Sequence, residues 1–120
     1  MLGLLVLTAS YATTITAVQS NNWSDKASWD LNRLPKNGDT VLIPVGFTVT
    51  IDKNDNLNNV VIIVSGDLQL DNSKLKLDRD SKVIVETTGK ITGQNNKDQI
   101  SIDGVLKFSG TQGTQTGYSY

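Results

Sequence analysis

The chain has 120 residues, 38% of them hydrophobic and 19% charged, with 11 basic and 12 acidic side chains and neither histidine nor cysteine. This size fits one small domain with a modest core, and a net charge of −1 gives no electrostatic reason to expect nucleic acid or an anionic membrane as the partner. Without His and Cys, the chain lacks the commonest general base, a thiolate nucleophile and any Cys/His zinc site.

The N-terminal segment stands apart because the first 20 residues carry no charge, whereas all 23 charged side chains follow them. It begins with the short apolar run Met1–Leu7, and Ser10 and Ala12 place small residues at the −3 and −1 positions of a cleavage site. We therefore predict a signal peptide within residues 1–20, although no basic residue precedes the apolar run. A buried N-terminal strand is the alternative, since the run is too short to span a membrane.

The segment that follows the predicted signal peptide is rich in aromatic and turn-forming residues. Ser24 is predicted to cap one short helical turn that reaches Ala27, and we expect no other helix. Trp23 and Trp29 have two interpretations. We favour that they cap the open end of a narrow core, because Trp buries the most area per residue. The alternative is a platform on which a sugar ring stacks, with Arg33 as a third ligand contact.

From residue 40 onward, apolar and polar residues alternate, as in β-strands with one buried face. Within each segment the apolar residues share the parity of their residue numbers and are predicted to face inward. They are Val41, Ile43, Val45, Phe47, Val49 and Ile51, then Val60, Ile62, Val64, Leu68 and Leu70, then Leu75, Leu77, Val83, Val85 and Ile91, and finally Ile100, Ile102, Leu106 and Phe108. Lys76, Lys90 and Lys107 have the opposite parity and are predicted to face solvent.

A repeated pattern of apolar residues around a central glycine predicts how the strands bend. It occurs at Ile62–Leu68, Val85–Ile91 and Ile100–Leu106. Asp103-Gly104 is also a strong two-residue hairpin signal, but a regular hairpin would turn Leu106 away from the face of Ile100. We therefore predict that the glycines are bends within continuous strands. The fold is then all-β, a short β-solenoid or parallel β-helix-like roll of bent strands with one short N-terminal helical turn. A simple antiparallel meander is the alternative.

Short polar segments between the strands predict turns. Asp52 and Asp55 lie in one of them and suggest a weak alternative, a metal site. The segment lacks the glycine and the bidentate acid of a calcium loop, so turn chemistry is favoured and no metal is predicted. Asp78 and Asp80 are likewise assigned to a turn rather than to a catalytic carboxylate pair.

Three lysines, Lys74, Lys76 and Lys82, lie at positions predicted to face outward. A solvated face is the favoured interpretation, because exposed lysines are the rule. A weak site for acidic polysaccharide is the alternative.

Residues 23–93 resemble a known family, the extracellular eight-glycine domain of polycystic-kidney, hyaluronan-processing and bacterial surface proteins. The resemblance is carried by Trp23–Trp29, Leu34–Gly46, Thr48–Asp52, Val64–Leu68 and Gly89–Gly93. It implies a β-rich extracellular module with one helix, which commonly precedes a right-handed parallel β-helix and binds ligand rather than catalysing a reaction.

Together these features predict a secreted or surface-anchored bacterial protein with a non-catalytic role. Residues 21–110 form the predicted module, and residues 111–120 a polar tail or the start of a downstream repeat region. The expected partner is an extracellular polysaccharide, as for a carbohydrate-binding or adhesin-like module, or a downstream β-helix of the same protein whose first rung the module caps. No catalytic residue, cofactor, nucleic acid or membrane span is predicted. The alternative function is the N-terminal part of a β-helical polysaccharide-degrading enzyme.

Overall fold

The computed structural model describes residues 12–120, which form thirteen strands and two short 3₁₀ turns. The strands are β1 (Thr14–Thr16), β2 (Asn21–Asn22), β3 (Thr40–Ile43), β4 (Thr48–Ile51), β5 (Asp55–Leu57), β6 (Val61–Val64), β7 (Asp67–Leu70), β8 (Lys74–Leu77), β9 (Lys82–Val85), β10 (Lys90–Thr92), β11 (Gln99–Ile102), β12 (Val105–Ser109) and β13 (Gln115–Thr116). The 3₁₀ turns are Lys26–Ser28 and Gly110–Gln112.

The strands form a three-sided parallel β-solenoid, which confirms the predicted fold class. Sheet 1 has the order β1-β3-β6-β9, sheet 2 the order β2-β4-β7-β10-β13, and sheet 3 the order β5-β8-β11-β12. Each rung contributes one strand to each sheet, so that β3–β5, β6–β8 and β9–β11 are three successive rungs. β1 and β2 form a partial rung before them, paired in parallel with β3 and β4.

The core is a column of aliphatic side chains enclosed by the three sheets. In sheet 1, Val41 is in register with Ile62 and Ile62 with Val83, and all three are fully buried. This confirms most of the predicted inward set. Val45 is an exception, because it is 66% exposed. Val45 lies in a turn together with Gly46, which has a φ of 94°. The strand therefore ends before Val45, and its side chain faces solvent.

Gly66 and Gly89 form the corner between sheets 1 and 2, as predicted. Gly66 N donates to Ile43 O at 2.9 Å, which brings the backbones of consecutive rungs together. A Cβ atom at Gly89 would overlap the carbonyl oxygen of Val64. The corner therefore needs glycine for close backbone approach.

Gly104 does not bend a continuous strand, so that part of the prediction is wrong. Asp103 and Gly104 have φ angles of 53° and 76°, as a type I′ hairpin requires, and β12 runs antiparallel to β11. Leu106 pairs with Ser101 and is 52% exposed, whereas Phe108 pairs with Ile100 and is fully buried.

A β-bulge explains why Phe108 still faces the core. The register shifts between Ile100 and Ser101 so that Lys107 has no partner. One extra residue reverses the side-chain alternation. The hairpin and the solenoid therefore coexist, whereas the sequence analysis predicted that one would exclude the other.

The rest of the C-terminus continues the antiparallel path around the solenoid. β13 pairs with β10, and Tyr120 exchanges backbone hydrogen bonds with Val83 of β9, at 3.2 and 2.8 Å. Residues 105–120, here called the C-terminal layer, thus pair with the last rung on all three sheets. Its 3₁₀ turn, Gly110–Gln112, shows that the expectation of a single helical turn is wrong.

The folded unit is wider than the predicted boundaries of 21 and 110. Ile15 in β1 is fully buried in sheet 1, and residues 111–120 belong to the C-terminal layer. The apolar run of the predicted signal peptide lies in residues 1–11, outside the described residues.

Candidate functional site

The two tryptophans cover the N-terminal end of the core. Both side chains are only 2% exposed, and their rings meet edge to face with centroids 5.2 Å apart. Trp29 Nε1 donates to Trp23 O at 3.1 Å, and Trp23 Nε1 donates to Asp55 Oδ2 at 2.9 Å. Neither indole therefore presents a face to a sugar ring, and the arrangement supports the capping interpretation.

The loop that carries these tryptophans is held by aspartates. Asp25, not Ser24, caps the first 3₁₀ turn by accepting from Ala27 N at 2.9 Å, which corrects the predicted cap. Ser24 instead donates through its backbone N, at 3.1 Å, and its hydroxyl to the carboxylate of Asp52. Burial raises the pKa of Asp52, but these hydrogen bonds outweigh it and the pKa lies below the usual value.

Arg33, the third candidate ligand contact, is engaged within the fold. Its guanidinium forms two hydrogen bonds with Asp39, at 2.7 and 3.1 Å, and Asp39 also accepts from Lys36 N at 2.9 Å. Asp39 is 2% exposed. Burial alone would raise the pKa of Asp39, yet the bonds from Arg33 and Lys36 hold it below the usual value. The ion pair stabilises the turn before β3, and the guanidinium of Arg33 is therefore already bound within the chain and not available to a ligand.

Asp52 and Asp55, the two candidate metal ligands, also accept hydrogen bonds within the fold. Asp52 binds Ser24, and Asp55 accepts from Trp23 Nε1 and from Asn56 N. In residues 12–120, no group of three or more His, Cys, Asp or Glu side chains is arranged to hold a metal ion.

The turn assignment of Asp78 is supported by its contacts. Its Oδ1 accepts from Asn59 N at 2.8 Å and from Ser81 Oγ at 2.6 Å. These hydrogen bonds lower the pKa of Asp78 and tie two rungs together at a corner.

The outward faces of the three sheets differ in chemistry. Sheet 1 presents an apolar row, Leu42, Ile63 and Ile84, which are in register on successive rungs. Sheet 2 presents mostly threonine and glutamine, together with an ion pair between Lys90 and Asp67 at 3.6 Å. Sheet 3 presents a different set, amides, a hydroxyl and two lysines.

The outward face of sheet 3 carries a shallow groove. One row crosses all four strands, because Asn56 pairs with Lys76, Lys76 with Ser101 and Ser101 with Leu106. Two depressions of about 320 and 440 Å³ share Asn56, Lys74 and Lys76. We call this surface the sheet 3 groove and define it by Asn54, Asp55, Asn56, Lys74, Lys76, Gln99, Ser101 and Leu106.

Several groove side chains have hydrogen-bonding groups to spare. Asn54 is fixed by accepting from Lys74 N at 2.8 Å, and Gln99 Nε2 donates to Asn96 O at 2.9 Å, which leaves the Gln99 carbonyl oxygen free. The ion pairs in the described part of the chain are Arg33–Asp39 and Lys90–Asp67. Lys74 and Lys76 therefore have no carboxylate partner among those residues.

Two further depressions of the described chain have similar volumes, about 420 and 460 Å³. The one near Lys36 and Gly38 is lined by groups that already bond each other, since Gly38 N donates to Asn58 O and Asn58 N to Asn37 Oδ1. Another, at the C-terminal layer, includes Tyr118 and Tyr120.

Sequence reasoning named the lysines of the groove but missed the groove itself. Alternation predicted that Lys76 faces outward, and the structure confirms this. What alternation could not show is that Asn56, Ser101 and Leu106 lie beside it, because this depends on which strands share a sheet.

The comparisons with known proteins agree with this architecture. The family model described as G8 domain matches residues 28–119, whereas no curated protein and no solved structure matches the chain. Within residues 12–120, no helix has the length and hydrophobicity that a membrane span requires. The match covers more than half of the chain and confirms the eight-glycine resemblance, so the chain belongs to the G8 domain family, an extracellular-type β module.

Proposed function

We propose that this chain is a non-catalytic, adhesin-like binding module of a secreted or surface-anchored bacterial protein, and that it binds carbohydrate in the sheet 3 groove. The observation that carries the proposal is a row of outward side chains across the four strands of sheet 3, polar on β5, β8 and β11 and apolar at Leu106 on β12. Part of their hydrogen-bonding capacity is unused within the fold.

The chemistry of the groove suits a sugar chain. Sugar hydroxyls both donate and accept hydrogen bonds, and the groove offers an amide at Asn56, a hydroxyl at Ser101 and ammonium donors at Lys74 and Lys76. Leu106, which is half exposed, adds an apolar contact for the C–H face of a ring. The groups stand on strands of a packed sheet, which fixes their spacing better than a loop would.

The C-terminal layer favours binding over the capping of a downstream β-helix. Its strands β12 and β13 cover the last rung with antiparallel partners. A following β-helix would therefore have to stack on this layer instead of extending β9–β11 in parallel.

The hydrogen bonds of the aspartates within the fold favour a binding role over polysaccharide cleavage. A glycosidase needs two carboxyl groups that face one substrate bond. Asp39, Asp52 and Asp78 instead hold loops and corners through hydrogen bonds within the chain. A catalytic part of the whole protein would then lie outside these residues.

A glycan array tests the proposal directly. We expect the native module to bind at least one glycan, and Ser101→Tyr to abolish that binding because the ring fills the groove. Thr92→Tyr is the matched control, since Thr92 is an outward strand residue on the same rung but in sheet 2. Tyrosine is a good strand residue, so both variants should fold.

The circular dichroism spectra of both variants should match that of the native module. The proposal fails if the native module binds no glycan, or if Ser101→Tyr leaves the pattern of bound glycans unchanged.

A further inference from the structure

We infer that two copies of this module pair end to end, with the free edge of β12 in one copy antiparallel to β12 of the other. The inference concerns self-association and does not depend on carbohydrate binding. It is carried by a difference between the two ends of the solenoid. The edge strands at the N-terminal end are closed to further pairing, whereas β12 is open.

At the N-terminal end, the edge strands β1, β2 and β5 have their outward backbone N–H groups bonded within the fold. In each strand an aspartate or asparagine side chain accepts the hydrogen bond. These bonds run from Thr16 N to Asp30, from Asn22 N to Asn21 and from Asn56 N to Asp55, at 2.9, 2.8 and 2.8 Å. An edge with free backbone groups is a template for another strand, so these bonds protect the N-terminal end.

The pairing of β11 determines which backbone groups of β12 face the free edge. Asp103 N donates to Leu77 O at 2.9 Å, on the side of β8. Because the direction of the backbone groups alternates along a strand, Ile102 bonds towards β12, where its partner is Val105. The next residue, Leu106, then directs its N–H and C=O at the free edge.

The surface around this edge is apolar and incompletely covered. Val105, Leu106 and Tyr118 are each more than half exposed. Tyr120 lies in the same depression as Leu106 and Tyr118, and its buried hydroxyl has no hydrogen-bond partner among the described residues. At the opposite end, by contrast, both tryptophans are buried and both indole N–H groups are bonded.

The edge of β12 is complementary to itself, which identifies the partner as a second copy. A twofold axis between the two Leu106 residues places them side by side and sets Lys107 opposite Val105. No like charges then face each other, and Lys107 lies diagonally across from Asp103, within reach of a long side chain. The net charge of −1 adds little repulsion between the copies. A head-to-tail contact is excluded because the N-terminal edges are closed.

Sedimentation equilibrium of the native module over roughly 10–500 µM tests the inference, because a contact at the small end of specific interfaces gives a weak, reversible dimer. We expect the average mass to rise from that of the monomer towards that of the dimer. Leu106→Lys should weaken the dimer about tenfold, since it places two ammonium groups beside each other at the axis.

Val45→Lys is the matched control for this substitution. Val45 is also an exposed apolar residue, but it lies in the turn between β3 and β4. The variant makes the same change of charge away from β12, so its dimerisation constant should stay within about twofold of the native value.

A cysteine cross-link tests the register of the two strands. The chain has no cysteine, so a single introduced thiol can form a disulfide only with a second copy. Residues paired as the two Leu106 are have Cα atoms about 5.5 Å apart, a distance that a disulfide spans. Under mild oxidation, Leu106→Cys should form a covalent dimer about tenfold faster than Val45→Cys.

Three results would overturn the inference. The first is a native module that stays monomeric throughout the concentration range, which would leave the edge of β12 to a different chain. The second is equal dimerisation of Leu106→Lys and Val45→Lys, and the third is equal cross-linking of the two cysteine variants. If circular dichroism shows that Leu106→Lys is unfolded, the cross-linking rates decide.

Discussion

Replacing Phe108 by alanine tests how the C-terminal layer closes the solenoid. Phe108 is fully buried against the last rung, opposite Ile100. Leu106, two residues earlier, is 52% exposed because the bulge at Lys107 reverses the alternation between them. Leu106→Ala is therefore the matched control on the same strand.

The two substitutions should differ severalfold in cost. Truncation of a buried Phe removes its transfer free energy and leaves a cavity, which together cost about 3–5 kcal/mol. Full burial of a Leu side chain contributes about 1.5–3 kcal/mol, so loss of the half-buried Leu106 should cost roughly 1 kcal/mol or less.

Urea unfolding followed by far-ultraviolet circular dichroism and Trp fluorescence measures both values. The slope of the unfolding transition must stay constant for the comparison to hold. Equal losses in the two variants would mean that Leu106 and Phe108 share one buried face, as in a continuous strand, and would refute the bulged hairpin.

Three further predictions concern the corner, acid stability and export. Gly89→Ala should cost roughly 3 kcal/mol or more in urea unfolding, because its Cβ overlaps backbone. Gly104→Ala is the control, since it has open space and a φ of 76° in the type I′ turn, and it should cost about 1 kcal/mol. Similar costs would contradict the close corner. The pKa of Asp52 is lowered in the folded protein, so its contribution to stability is present above the ordinary carboxyl pKa and is lost as the pH falls through the lower folded pKa. Native protein should therefore lose stability on acidification, and Asp52→Asn should lose less of it. An unchanged acid dependence would show that Asp52 does not contribute. Mass spectrometry of the mature protein should place its N-terminus within residues 13–21. Cleavage after residue 12 is expected, because the mature protein then keeps the buried Ile15. An intact Met1 would contradict export by a cleaved signal peptide.

Alternation of apolar residues was sufficient to predict most of the inward-facing residues of the solenoid. It placed Leu68 and Ile91 inward, and both are fully buried and in register. Gly66 and Gly89 were predicted as bends for the same reason. A period of two residues is a local property, so it can be recognised without knowing which strands pair.

The C-terminal hairpin could not be predicted by the same argument. The parity of residue numbers assumes that every residue has a partner, but Lys107 has none. An unpaired residue changes the face of everything after it. Leu106 and Phe108 therefore have the same parity but lie in different environments, and only the pairing partners reveal this.

The engaged side chains of the site could be only partly predicted. Capping by Trp23 and Trp29 follows from their size, whereas the pairing of Arg33 with Asp39 and of Ser24 with Asp52 depends on how loops meet across 6 and 28 residues. The groove is likewise a product of topology, because Asn56 and Ser101 are distant in sequence and meet only through Lys76 on the strand between them.

Chemical-shift mapping of the isotope-labelled module with oligosaccharides of a glycan that the native module binds on the array tests most directly whether sheet 3 is the binding face. The account predicts that the backbone amides of Asn56, Lys76 and Ser101 shift progressively during the titration, while those of Gln69 and Thr92 on sheet 2 stay in place. Shifts confined to sheet 1 or sheet 2, with sheet 3 unaffected, would contradict the assignment of the groove.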